Sequence, residues 1–373
     1  MVQLKQNICK LQKEVFYTGY KSTQEMIDAL KDYNAAIEEM PETFEVHNEY
    51  LIAGMTVDNF ITGYKAYRNI IIKLNQDMIS DPESFGLVVC DKKGALKPVN
   101  AIYYPYLWLF IALALSGEMK DGKLYVSGPA FLEYTKGKPV GSHNSYPKNV
   151  DSLIHRLGEY HFNITGYKHG ENSDFTVEYT DNVYLLPVIK ASTLTSYQAI
   201  SLLSDYACFN FLMFKTASKE RMIFSDTHTA KIMPVQLVEN MNTIIDEFGK
   251  IGFAPAAERH HKHDMGWIKF KYYQVYYGLD RLCGILDIHD LYKHEKYLET
   301  LPERYLNLIK ENLKCKGCKK GECNWRRTDE LFGKKRVWCN SSGYLRFYFP
   351  TGTEDTVCAA EIIANIHSKK IKH

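Results

Sequence analysis

Four cysteines near the C-terminal end constrain this chain more than any other feature of its sequence. Cys315, Cys318, Cys323 and Cys339 follow the spacing C-x2-C-x4-C-x15-C. Two cysteines separated by two residues can bind one ion from a tight turn, and Gly317 provides the backbone freedom for that turn. Four thiolates complete a tetrahedral shell, which is the geometry of structural zinc sites. The spacing therefore predicts a zinc knuckle that closes the C-terminal part of the fold.

Other interpretations of the cysteine segment stay open. A redox-active CKGC pair would usually stand at a helix N-terminus, whereas here it follows a predicted helix and leaves two cysteines without a role. An iron–sulfur cluster also uses four thiolates, but its usual spacings differ. Four free thiols are the simplest alternative, and Cys358 is a candidate substitute ligand for Cys339. Zinc is favoured because lysines and arginines outnumber acids in this segment and would offset the charge of four thiolates.

The same segment supports a second hypothesis, nucleic-acid binding. Arg326, Arg327 and Lys335 alternate with aromatic residues such as Trp325 and Trp338, a mixture found on platforms that stack bases. Against this hypothesis, alternating aromatic residues usually pack a core. The positive charges are also already explained, because they would balance the negative charge of four thiolates around zinc. The net charge of +2 provides no global field that would attract nucleic acid or a membrane surface. Nucleic-acid or anion contact is therefore an alternative and not the favoured function.

A histidine-rich segment, RHHKHD, suggests a secondary metal site and a third hypothesis, a metal-dependent hydrolase. His261, His263 and Asp264 resemble part of the H-x-H-x-D-H motif of metallo-β-lactamase-like hydrolases. The aspartate stands one residue early, and Met265 replaces the next histidine, so solvated histidines on a surface loop are the alternative. The sequence contains no phosphate-binding loop, dinucleotide fingerprint, H-E-x-x-H or G-x-S-x-G motif. The sequence thus leaves enzymatic activity open and favours a non-enzymatic binding or regulatory protein.

The hydrophobic pattern predicts an α+β fold in three parts. A mainly helical N-terminal domain covers residues 1–140, a first αβ module covers 147–233, and a second αβ module covers 235–373 and contains the zinc knuckle. Both modules show the order helix, strand, strand, helix, which predicts two weakly similar units. Apolar residues recur at helical spacing over 22–40 and 57–79.

Further elements follow from shorter patterns. The run at 103–115 is shorter than the roughly 20 residues that cross a bilayer, so it predicts a buried helix and no membrane span. Strands are predicted at 175–179 and 183–189 in the first module. The second module is predicted to contain strands at 267–278 and 282–290, followed by one long helix at 291–313.

Three motifs carry a resemblance to known proteins. They are GYKHGENSDFTVEYTDN, RHHKHDMGW, and the ending C-x2-C-x4-C-x2-RR…GKK-x3-C with an aromatic strand and a T-E-D helix start. In these motifs the chain resembles a group of proteins from Clostridia and related Firmicutes that has no assigned activity. The resemblance implies a bacterial cytoplasmic protein and transfers no catalytic role. An N-terminus without an apolar signal sequence agrees with a cytoplasmic protein whose cysteines stay reduced. The partner, a small molecule or a protein, and the oligomeric state are left open.

Overall fold

The computed structural model divides the chain into two compact units. Unit 1 comprises Met1–Ile232 and His260–Asp264, and unit 2 comprises Met233–Arg259 and Met265–His373. Helices and antiparallel strands occur in both units, so the fold is α+β, as the sequence predicts. The structure describes these residues: 22–85, 104–136, 150–168, 170–195, 209, 211–218, 235–260, 265–271, 273–277, 282–289, 291–312, 326–339, 344–349 and 352–367.

The first two helices of unit 1 begin at side-chain caps. Ser22 accepts a hydrogen bond from the Glu25 amide at 3.1 Å, and Thr56 accepts one from the Asn59 amide at 3.2 Å. These bonds satisfy amides that have no partner inside the helix. The unit 1 helices are α1 (Thr23–Glu38), α2 (Val57–Ser80), α3 (Tyr104–Ser116), α4 (Gly128–Lys136), α5 (Val150–Gly158) and α6 (Leu185–Ser192).

The apolar helix α3 forms the centre of the unit 1 core. Every side chain from Tyr106 to Ala114 is buried, which is the pattern of a helix that packs on all sides. This confirms the predicted buried helix. In the described part of the chain, no helix combines the length and apolar character needed to cross a membrane.

Unit 1 contains a four-stranded antiparallel sheet with the order β1-β2-β4-β3. Its first two strands come from the region predicted as the N-terminal domain, and its last two come from the predicted first module. The sheet therefore joins residues on both sides of the boundary predicted near 140–147. The strands are β1 (Gly117–Lys120), β2 (Lys123–Val126), β3 (Phe162–Thr165) and β4 (Phe175–Tyr179).

The strand predicted at 183–189 is wrong. Residues Leu185–Ser192 form α6, and all of its apolar side chains are buried. A short continuous apolar run fits a buried strand and a buried helix equally well, so periodicity alone could not separate them. The helix–strand–strand–helix order still holds over residues 150–192, with β3 and β4 as the two strands.

Gly63 lets α6 approach α2 closely, and Gly63→Ala should destabilise unit 1. A Cβ at position 63 would lie 2.4 Å from the carbonyl oxygen of Tyr184 and 2.7 Å from a methyl group of Val188. Alanine gains about 1 kcal/mol in helix propensity, but we expect the backbone clash to exceed this gain, for a net loss of about 1–3 kcal/mol. Hydrogen exchange of α2 amides would measure the loss.

A matched control for Gly63→Ala exists in unit 2. Gly249 lies in the last turn of a unit 2 helix, and a Cβ added at this position would have no other atom within 4 Å. Gly249→Ala should therefore leave the stability of its unit unchanged or slightly raised. Equal effects at both positions would contradict the close-approach argument.

Unit 2 contains a five-stranded sheet with the order β11-β8-β7-β6-β5 and a separate two-stranded ribbon of β9 and β10. Phe248 stacks on Phe270 and Tyr273 at centroid distances of 4.7 and 4.6 Å, which fastens the first helix of the unit to the sheet. The strands are β5 (Ala256–His260), β6 (Met265–Phe270), β7 (Tyr273–Tyr277), β8 (Leu282–His289), β9 (Arg326–Leu331), β10 (Lys334–Cys339) and β11 (Tyr344–Phe349). The helices are α7 (Val235–Lys250), α8 (Glu295–Leu298), α9 (Glu303–Asn312) and α10 (Thr353–His367).

Two predicted elements of unit 2 differ from the structure. The single strand predicted at 267–278 spans two strands, β6 and β7, which pair with Phe270 opposite Tyr273. The long helix predicted at 291–313 is interrupted between α8 and α9 at Pro302, whose ring disfavours a helical residue before it.

Candidate functional site

The predicted zinc knuckle is only partly covered by the structure. Cys315, Cys318 and Cys323 lie outside the described residues, so the four-cysteine site stays a prediction. Cys339 is the last residue of β10 and pairs with Arg326, the first residue of β9. Among the residues that the structure describes, no group of three or more His, Cys, Asp or Glu side chains could hold a metal ion.

Cys358 is poorly suited to replace Cys339 as a ligand. Its side chain is buried in α10, and burial raises the pKa of its thiol to about 12. A thiol of this kind is protonated at neutral pH, whereas metal ions bind the thiolate. Its position fits a small core residue better than a ligand, so Cys339 remains the natural fourth ligand.

The predicted anion contacts lie on the β9–β10 ribbon, where several cations stand opposite acids. Lys335 is exposed and pairs with Glu330 across the ribbon. Arg327 pairs with Trp338, and Arg326 pairs with Cys339. Of the three predicted contacts, Lys335 is the one whose side chain the structure describes.

His261, His263 and Asp264 also lie outside the described residues. They connect β5 to β6, which are neighbours in the unit 2 sheet. The strand before them, Ala256–His260, was not predicted, because its sequence AAERH lacks an alternating apolar pattern. The secondary metal site and the hydrolase hypothesis stay predictions.

The described structure contains a long groove in unit 1 that the sequence did not predict. One wall is the stripe of α2 that begins at Thr62 and continues to Asp81 just after the helix, about 28 Å at the rise of an α-helix. The other wall comes from α5, the turn before β3 and the residues after β4. Asn182 Nδ2 donates to the carbonyl of Thr62 at one end (3.3 Å), and Arg156 donates to the carbonyl of Ser84 at the other (3.2 Å). These bonds hold both walls, so the groove is preformed.

Tyr160 divides the groove into two compartments. Its hydroxyl donates to Asp77 at 2.5 Å, and the ammonium group of Lys73 lies 5.2 Å from the centre of its ring. Burial and the bond to Asp77 raise the pKa of Tyr160 far above its usual value, so it stays a neutral hydrogen-bond donor. The larger compartment has a volume of about 440 Å³ and the smaller about 300 Å³, and Lys73 and Tyr160 line both.

A histidine–aspartate pair stands at the rim of the larger compartment. His161 Nδ1 donates to the carboxylate of Asp181 at 2.7 Å, which leaves Nε2 as the remaining ring nitrogen. The backbone of His161 has φ 67°, a left-handed conformation that glycine or asparagine usually adopts after a helix. Its amide donates to the carbonyl of Gly158 at 3.3 Å, so the imidazole is held from the backbone and from the side chain.

The two compartments differ in charge. The smaller is lined by two cations, Lys73 and Arg156, and by three carboxylates, those of Asp77, Asp81 and Glu159. The larger is lined by the cations Lys65 and Lys73, by one carboxylate, Asp181, and by His161. Cations therefore outnumber carboxylates in the lining of the larger compartment only.

The fold and the groove define an α+β protein with a preformed, polar binding groove beside a helix. No protein-family model, curated protein sequence or solved structure was found to match this chain. Its function therefore has to be inferred from its own residues.

Proposed function

We propose that this chain is a binding protein whose second unit is stabilised by a structural zinc ion bound to Cys315, Cys318, Cys323 and Cys339. The observation that supports this proposal best is the register of the β9–β10 ribbon, which pairs Cys339 with Arg326. A spacing of fifteen residues is far too long for a local turn. The ribbon brings Cys339 next to Arg326 in space. Only the three residues from Cys323 to Arg326 then separate the third cysteine from the fourth.

The Cα separations between Cys323, Arg326 and Cys339 that follow from this register are compatible with one metal ion. Paired residues in antiparallel strands have Cα atoms about 5 Å apart, and three residues extend at most about 10 Å. A compact path from Cys323 to Arg326 would therefore bring the backbones of Cys323 and Cys339 close enough for both thiolates to bind one ion. A closed shell of four thiolates leaves no open position for a substrate, so the zinc would stabilise the fold and take no part in catalysis.

The charges near the ribbon support a thiolate site more strongly than a nucleic-acid surface. Lys335 pairs with Glu330 across the ribbon, so a neighbouring acid partly balances this cation. The pairing of Arg327 with Trp338 is the one observation that favours base stacking. Nucleic-acid binding is thus the second candidate, and salt-dependent retention of single-stranded RNA by the purified protein would support it.

The proposed thiolate ligands also indicate the cellular compartment of the protein. Four cysteines remain available as metal ligands in a reducing compartment, which agrees with a bacterial cytoplasmic protein. The hydrolase hypothesis has no described residue to support it beyond the position of its histidines between β5 and β6.

Metal content of the purified protein tests the zinc proposal directly. We expect one zinc per chain, because four thiolates satisfy one tetrahedral ion. Cys318→Ser should lose this zinc, whereas Cys283→Ser, a change to a half-buried cysteine in β8, should retain it. Iron in place of zinc would show a different metal centre, and a metal-free protein with an ordered ribbon would refute the proposal.

A further inference from the structure

We propose that the larger compartment of the unit 1 groove binds a small organic anion, with its anionic group at Lys73 and its apolar body against α2 and Tyr179. This inference specifies the binding function proposed above and depends on unit 1 alone. It is independent of the zinc ion, so the two proposals can fail separately.

The charge of Lys73 is the first argument. Lys65 already pairs with Glu42 at 2.5 Å, and Asp181 pairs with His161. Within the described part of the chain, Lys73 makes no ion pair, and its ammonium group contacts the ring of Tyr160. This ammonium group is therefore a positive charge available for an anion inside a concave site.

Available hydrogen-bonding groups are the second argument. The side-chain amide of Asn69 and the hydroxyl of Tyr179 line the same compartment, and neither makes a hydrogen bond to another described residue. His161 Nε2 adds a group that accepts when the ring is neutral and donates when it is protonated. These groups, together with Lys73, can surround a phosphate or carboxylate and a neighbouring polar atom.

The apolar part of the lining limits the kind of anion. Ala66 and Ile70 on α2 and the half-buried ring of Tyr179 on β4 are the apolar part of this lining. A volume of about 440 Å³ lies within the usual range for small-molecule sites and exceeds the volume that a bare inorganic ion fills. The lining therefore fits an anion that carries an apolar or planar body.

The conformation of His161 is the third argument. Glycine would adopt its positive φ without steric cost, but glycine would remove the imidazole that donates to Asp181 and stands at the rim. The chain thus places a side chain in a disfavoured backbone conformation, and it holds this side chain at the rim of a cavity. Conformations of this kind are concentrated at binding and catalytic sites.

Titration of the full chain with phenyl phosphate, benzoate and inorganic phosphate, followed by calorimetry, tests the inference. Phenyl phosphate or benzoate should bind saturably and at least about tenfold more tightly than inorganic phosphate, since only they carry an apolar body. Lys73→Gln should weaken this binding by about tenfold, and His161→Asn, which tolerates the backbone conformation, should weaken it less. Binding should protect the amides of residues 62–73 from hydrogen exchange.

Matched variants separate the groove from general charge effects. Lys31→Gln removes an exposed lysine from α1, and His155→Asn removes an exposed histidine from α5 outside the groove. Both should leave binding unchanged. The inference is overturned if none of the three probes binds saturably, if inorganic phosphate binds as well as the organic anions, or if Lys73→Gln and Lys31→Gln have equal effects. Such a result would leave the zinc measurement unaffected.

Discussion

Removing the proposed zinc ion with a strong chelator is expected to open the Cys339 end of the β9–β10 ribbon and leave unit 1 folded. Apart from Leu331 beside the turn, the described side chains of the two strands (Thr328, Glu330, Lys334 and Lys335) are exposed, so their burial contributes little to the order of the strands. A structural zinc contributes an apparent free energy of about 10 kcal/mol at neutral pH. We therefore expect the amides near residues 326 and 339 to lose at least about 3 kcal/mol of protection against hydrogen exchange.

The turn of the ribbon provides an internal comparison for this prediction. Leu331 and Phe332 are buried, the amide of Phe332 donates to the carboxylate of Glu295, and Lys310 lies 5.3 Å from the Phe332 ring. These contacts do not involve the cysteines, so the turn should keep more protection than the open end. Cys318→Ser should reproduce the effect of the chelator, and Cys283→Ser should not. Uniform protection along the ribbon after complete zinc removal would contradict the structural role.

Helical periodicity predicts α1, α2 and α5 correctly because each of these helices has one clear apolar face. In α2, the predicted inward residues Phe60, Ile61 and Leu74 are all buried. Periodicity fails where the pattern is continuous, as in α6, or where a turn lacks the usual residues. The connection between β6 and β7 is Lys271 and Tyr272, which carries no glycine, proline, asparagine or aspartate, so the pattern predicts one strand in place of two.

The groove could not be predicted because its residues come from distant parts of the sequence. Lys73, His161 and Asp181 belong to three segments that the folded unit 1 brings together. None of these segments contains a motif of known chemistry. The one local signal is a histidine three residues after the end of α5, and this signal has no meaning without the backbone conformation.

Cations that donate to carbonyls at helix ends were also not predicted, although one of them stands within an apolar pattern. Arg68 stands on the apolar stripe of α2 and is 6% exposed. Lys190, on α6, donates to the carbonyls of Ala114 and Gly117 at the end of α3. In both cases a cation satisfies carbonyls that have no partner within their own helix, where the helix dipole is negative. The apolar pattern identifies the buried position but not the carbonyl groups that make it suitable for a charge.

Arg68→Met is accordingly expected to destabilise unit 1 by about 3 kcal/mol, because buried carbonyls would lose a charged donor. The guanidinium donates to the carbonyls of Met40 and Pro41, each at 3.3 Å, and lies 3.5 Å from that of Glu38. Methionine can fill much of the same volume, so the loss would report the hydrogen bonds more than a cavity. Hydrogen exchange of α1 and α2 amides would measure the change in free energy.

Replacing Lys65, one turn before Arg68 on α2, by methionine provides a control. It distinguishes the buried Arg68, which caps the end of α1, from an ordinary surface charge. Lys65 also extends from α2 and pairs with Glu42, but both side chains are exposed. Lys65→Met should therefore change stability very little, since water screens an exposed ion pair. Arg68→Lys should give an intermediate loss, because one ammonium group cannot match the planar fork that reaches several carbonyls. If Arg68→Met and Lys65→Met had equal effects, the end of α1 would not depend on the guanidinium, and its carbonyls would have to be satisfied by water.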